Sequence, residues 1–180
     1  TSWVYLDSKP GGNHMTALFK GVIGTAADEE YRLFWSTTTD RFELEISDGT
    51  TRKLHSASSF GAPSTGTWNF VTYWHDATAD TVNISVNDDT VDSSAWTTGA
   101  QDTANSFYIG VLGTDASAYW NGRIDEVGIW KRLLTADERT TLYEDPGAIF
   151  RDPPPDIDPI PEPSSIILFG SGLLGLGLKR

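Results

Sequence analysis

The sequence predicts an all-β fold, a two-sheet antiparallel sandwich of the jelly-roll kind, with one short helix closing the body and a separate C-terminal tail. Three observations predict it. Short segments alternate apolar and polar residues with period two, as in "RFELEIS" and "DTVNISVND". Turn-forming residues separate these segments at close spacing. Aromatic residues are frequent, with seven Trp, six Tyr and eight Phe in 180 residues, and such side chains suit a pleated, half-buried surface.

Taken in order, "SWVYLDS" opens the body as an early strand. "TALFKGVIG", "EYRLFWS" and "RFELEIS" follow. In the last of these Phe42, Leu44 and Ile46 point one way and Arg41, Glu43 and Glu45 the other, the pattern of a strand with one buried face. "TRKLHSA", "TWNFVTYWHD", "DTVNISVND", "NSFYIGVLG" and "NGRIDEVGIWKR" complete the set. Tight turns are expected at Asp48-Gly49, at Asn87 to Asp89 and at Gly113 to Ser117, because Asn, Asp and Gly tolerate the positive φ that hairpins require. "LLTADERTTLYED" places Thr135 three residues before Glu138, a capping-box spacing. It predicts a helix over about 136–143, stopped by Pro146 and Gly147.

Composition then shifts. "DPGAIFRDPPPDIDPIPEP" holds seven of the nine prolines, so 146–160 reads as an extended linker between a body over 1–145 and a tail over 161–180. A body of about 150 residues buries roughly 68–70% of its unfolded surface, enough for a core without covalent staples. No cysteine is present, which removes disulfides, thiolate metal sites and cysteine nucleophiles. The net charge is −12, and residues 1–150 hold ten Lys/Arg against twenty-one Asp/Glu. So acidic a body repels phosphate backbones, and nucleic acid is not an expected partner.

The stretch "YWNGRIDEVGIWKRLLTADE" resembles the closing strand and following helix of laminin G-like, concanavalin A-like jelly-roll domains of the bacterial type. "TGTWNFVTYWHDATADTVNISVND" is similar to that family's central hairpin, and "SWVYLDS" to the early strand that follows its first strand. The resemblance covers about 1–144. It implies a sandwich with a concave face, and the family's first strand is expected to belong to a longer precursor. Lectins, carbohydrate-binding modules, adhesion domains and some glycoside hydrolases share this fold, so function must be argued from a site.

Glycosidases of the resembled fold carry acids at alternate positions of one strand, with the catalytic pair about 5–5.5 Å apart. The nearest run here is Glu43, Glu45, Ser47. Its third acid is missing, and Glu43 and Glu45 read as the solvent face of an amphipathic strand. Asp125 and Glu126 are adjacent and point to opposite faces. The expectation is therefore not an enzyme. The resemblance implies a role for Asp125 in holding a structural calcium ion with backbone carbonyls and an acid near the N-terminus, although one aspartate supplies few of the six to eight oxygens required. His14, His55 and His75 have no zinc spacing.

For a sugar ligand the useful groups are exposed aromatic rings, whose flat apolar faces meet the C–H side of a pyranose. Trp96 in a polar loop, Tyr119 and Trp120 before the closing strand, and Trp74 near a strand end are the candidates. Trp3, Trp35, Trp68 and Trp130 read as core or inter-sheet residues.

The tail "PEPSSIILFGSGLLGLGLKR" resembles the PEP-CTERM sorting signal of exopolysaccharide-producing Gram-negative bacteria. Its three parts are Pro161-Glu162-Pro163, an apolar stretch from Ser164 to Leu178, and the basic end Lys179-Arg180. Fifteen helical residues span about 22 Å, short of the roughly 30 Å hydrocarbon core. Such a span suits a temporary anchor in the inner membrane, with Lys179 and Arg180 held in the cytoplasm. The sequence thus predicts an exported, envelope- or matrix-associated protein that binds glycan or exopolysaccharide and is processed by an exosortase-like enzyme. The alternatives are a glycoside hydrolase of the same fold and a structural matrix domain without a specific ligand.

Overall fold

Why the ten strands of the described residues assemble follows from which face each one buries. The computed structural model describes residues 1–113 and 118–148. One sheet has the order β10-β1-β6-β7-β8 and the other β5-β4-β3-β2-β9. The first contains β1 (Ser2–Leu6), β6 (Trp68–Asp76), β7 (Thr81–Val86), β8 (Asp92–Ala95) and β10 (Gly122–Asp125). The second contains β2 (Met15–Gly21), β3 (Glu29–Ser36), β4 (Arg41–Ser47), β5 (Arg52–Ser56) and β9 (Phe107–Ile109). Every strand pair is antiparallel.

The core lies between the sheets. Val4, Leu6, Val71, Val82, Ile84 and Val86 of the first sheet meet Leu18, Leu33, Trp35, Phe42, Leu44 and Ile46 of the second, all buried. Each such fully buried side chain contributes about 1.5–3 kcal/mol. The sequence pattern also places the turns. Gly49 has φ +90°, and Asn87 and Asp88 have φ +57° and +54°. Asp40 and Asp80, the last turn residues of the β3–β4 and β6–β7 hairpins, share φ +54°. The expected turn at 113–117 falls mostly outside the described residues.

The strand β8 was not legible. Its "DSSA" sequence is polar, and it pairs as an edge strand to β7. The expected capping box is present in α1 (Ala136–Glu144): Thr135 accepts from the Glu138 amide, and Glu138 accepts from the Thr135 amide. This helix packs on the outer face of the first sheet. Tyr143 stacks on Trp3 at 5.8 Å and lies 6.1 Å from Phe70. Trp35 is buried in the core, whereas Trp3 and Trp68 lie on that outer face.

One expected strand stops early. "NGRIDEVGIWKR" reads as a continuous strand, but β10 ends at Asp125. Glu126 adopts φ +48°, and the Asp125 carboxylate accepts from its amide at 2.8 Å. Trp3 pairs with Asp125, so an unbroken ladder would set Thr1 opposite Val127. Instead Thr1 and Gly128 exchange two hydrogen bonds of 2.9 Å. One extra residue on one strand is a β-bulge, and a one-residue slip reverses which side chains face inward. Val127 accordingly packs on the core, and Trp130 turns to the outside.

Candidate functional site

The bulge at Glu126 builds the site. Beyond it the chain runs over the end of the first sheet, and Trp130 is 39% exposed. Its indole N–H points to the Thr1 hydroxyl at 3.5 Å. Below lies β6, whose outer-facing Thr72 and Trp74 form a floor. The helix supplies Arg139. Together these elements enclose a cleft of about 790 Å³, inside the usual range for small-molecule and sugar sites.

Arg139 is fixed twice. Its guanidinium carbon lies 4.5 Å from the Trp74 ring centroid, and Nη1 donates to the Leu134 carbonyl at 2.7 Å. On the opposite, inward face of β6, Tyr31 and Tyr73 line the cleft from the two sheets with ring centroids 6.4 Å apart. Burial pushes both phenols above their ordinary range, most strongly Tyr73; Glu30 adds to the effect at Tyr31 and Tyr31 to that at Tyr73. Both therefore remain neutral hydroxyls. Glu30 also lines the cleft but is 3% exposed. Its carboxylate is taken by Lys20 at 3.0 Å and by the Thr103 amide and hydroxyl at 2.7 and 2.6 Å.

Of the four aromatics predicted from sequence, Trp74 lines this cleft. Trp96 is half-buried against the core, and its N–H donates to Gly99 at 2.8 Å. Trp120 also packs on the core and donates to the Tyr5 carbonyl at 3.0 Å. Tyr119 is 57% exposed and stands outside the cleft lining. Trp130, read from sequence as interior, is the exposed ring of the site. Its signal was hidden because nothing in "IDEVGIW" announces a bulge.

The acidic strand differs from its expectation as well. Glu43 is 1% exposed rather than solvated. Its Oε1 accepts from Thr39 at 2.7 Å and Ser56 at 2.8 Å, which accounts for a carboxylate buried on the outer face of the second sheet. Glu45 lies next to Arg52 at 3.4 Å. Burial, reinforced by Glu29, holds its carboxyl above the ordinary range. Ser47 donates to the Ala26 carbonyl. Neither glutamate lines the cleft.

Asp125 sits on the exposed outer face opposite Trp3. Among the described residues no three His, Cys, Asp or Glu side chains gather as a metal-binding group. One Asp125 oxygen already accepts from the Glu126 amide at 2.8 Å, and this single side chain supplies few of the six to eight oxygens that calcium takes.

The family model described as the concanavalin A-like lectin/glucanases superfamily matches residues 1–138. The chain belongs to this superfamily. A second model, the PEP-CTERM protein-sorting motif, matches residues 159–180, which contain Pro161, Glu162, Pro163, Lys179 and Arg180. That motif marks the protein for export to the Gram-negative cell envelope. Its structure lies outside the described residues, among which no helix is long and apolar enough to cross a membrane.

No curated protein matches the chain. Among solved structures, a putative carbohydrate binding protein from Bacteroides ovatus is similar with a TM-score of 0.60 and 18% identity. The match covers 79% of this chain and 38% of that one. A native heptameric SAP-like pentraxin from Limulus polyphemus is similar with a TM-score of 0.57 and 12% identity, over 79% of this chain and 67% of that one. At these identities the likeness shows the sandwich fold.

Proposed function

We propose that this superfamily member is a non-catalytic binding protein of the cell surface or matrix, and that its cleft takes a glycan or exopolysaccharide strand. The observation that supports this is the exposed Trp130 ring at the rim of a cleft that also holds Trp74, neutral tyrosine hydroxyls and Arg139. A sugar needs an apolar platform for its C–H face and fixed polar groups for its hydroxyls. Arg139 occupies one face of Trp74, so Trp130 is the platform and Trp74 the support. The carbohydrate-binding designation of the Bacteroides ovatus neighbour agrees with this reading.

The non-enzyme reading rests on Glu43 and Glu45 being held in the second sheet, away from the cleft. Calcium belongs to the proposal through Asp125. The tail acts as a transient inner-membrane anchor that an exosortase-like enzyme releases. A glycan array with and without calcium, run beside Trp130→Ala, tests the central claim. Binding to a glycan that the variant loses supports it, and binding to none removes it.

A further inference from the structure

The charge of the cleft is opposite to that of the molecule. The chain as a whole carries −12, yet the cleft is lined by Lys131, Arg132 and Arg139 against Glu30 and Asp102. Local pairing sharpens the contrast. Arg132 is neutralised by Glu138 through two bonds of 2.7 and 2.6 Å. Glu30 is buried and taken by Lys20. What remains is exposed Lys131, the Arg139 guanidinium and exposed Asp102. Among the described residues Lys131 has no ion-pair partner.

We infer that the cleft selects an anionic glycan, one whose sugar units carry carboxylates. This inference rests on the glycan-binding reading of the same cleft. A guanidinium stacked on an indole keeps its in-plane N–H donors free, and that edge matches a carboxylate. One Arg139 nitrogen is committed to Leu134, and Arg139 is among the residues that line the cleft. Lys131, next in sequence to Trp130, is a second cation in the cleft lining. A carboxylate-bearing sugar taken into the cleft thus meets cations among the residues that line it. The acidic body makes the selection local. Its repulsion is screened beyond about 8 Å at physiological ionic strength, so a carboxylate inside the cleft is governed by the cations that line it.

Uronate polymers test this directly: polygalacturonate, alginate and glucuronan, each beside its carboxyl-reduced neutral counterpart, titrated calorimetrically against the folded chain. The expected result is binding to at least one acidic polymer, with an affinity loss of tenfold or more on carboxyl reduction. Lys131→Gln should weaken the acidic ligand several-fold and any neutral ligand by less; as an exposed residue it should not alter melting. Arg139→Lys keeps the charge but loses the planar fork, and should weaken the acidic ligand again. Equal binding of both members of every pair overturns the inference and leaves the glycan reading standing. Binding of neither member in all pairs, together with an empty neutral array, removes both.

Discussion

The guanidinium of Arg139 lies over the indole of Trp74, 4.5 Å from its ring centroid. This contact ties α1 to β6 and divides labour between the two cleft tryptophans. Trp74→Ala should lower both melting temperature and glycan affinity, because a cation–π contact of about 0.5–2 kcal/mol goes with the ring. Trp130→Ala should cut affinity about tenfold, the equivalent of roughly 1.4 kcal/mol, with little change in melting. Thermal scans paired with calorimetry check the split. Equal effects of both variants on melting would show Trp130 to be structural.

Glu43 offers a second test. It is buried with the Thr39 and Ser56 hydroxyls as donors, so Glu43→Ala leaves two polar groups unpaired. A stability loss of about 2–4 kcal/mol is expected in urea titration. Glu43→Gln, which retains an acceptor, should lose less. Neither form should hydrolyse β-glucan. Turnover in the parent that disappears in Glu43→Gln or Glu45→Gln would make the protein an enzyme.

Acid should act on α1. Hydrogen bonding by Arg132, then by the Thr135 amide, holds the Glu138 carboxyl down to about 2. A carboxylate depressed in the folded state stabilises it fully above the ordinary glutamate range, and that stability is lost as pH falls toward 2. The Asp48 turn, held at about 2 by the Thr51 and Thr50 amides, acts in the same direction. Glu45 has the opposite sign, since burial raises its carboxyl and folding gains as it protonates. Glu138→Gln should therefore flatten part of the acid limb of melting temperature against pH, with the Asp48 share remaining. An unchanged limb would place the acid sensitivity elsewhere.

The sandwich was legible because period-two alternation in "RFELEIS" and "DTVNISVND" reports one buried face directly. The helix was legible because Thr135 and Glu138 carry their own geometry in their spacing. The site was less so. Trp130 lies in a segment that alternates correctly for an inward residue, and only the left-handed Glu126 reverses it. Trp96 and Trp120 sit in polar loops, yet their rings reach the core because each N–H finds a backbone carbonyl. Loop polarity describes the neighbours of an aromatic residue, whereas its burial depends on chain path.

Calcium at Asp125 can be separated from its absence by melting with and without chelator. A ligand at 100 times its dissociation constant stabilises by about 2.7 kcal/mol. For a body of this size that is a rise of about 5–10 °C. A calcium-dependent rise that Asp125→Asn abolishes assigns the site. A rise of equal size in both proteins, or none, removes Asp125 from any metal role.

The tail carries an expectation of its own. The body is acidic, and its described helix is short and polar. The sorting motif at 159–180 contains thirteen uncharged residues from Ile166 to Leu178, preceded by Pro-Glu-Pro and followed by two cations. In the proposed anchor the cations would favour the cytoplasmic side, which would leave the Pro-Glu-Pro at the outer surface within reach of a processing enzyme. The apolar stretch is shorter than a stable span needs, as suits an anchor that is cut. Removing residues 160–180 should leave the melting temperature of the sandwich unchanged. In the native host the same truncation should abolish membrane retention and processing, read by fractionation and by mass of the mature chain. If the truncated body fails to fold, Ile166 to Leu178 belongs to its core and the anchor reading falls.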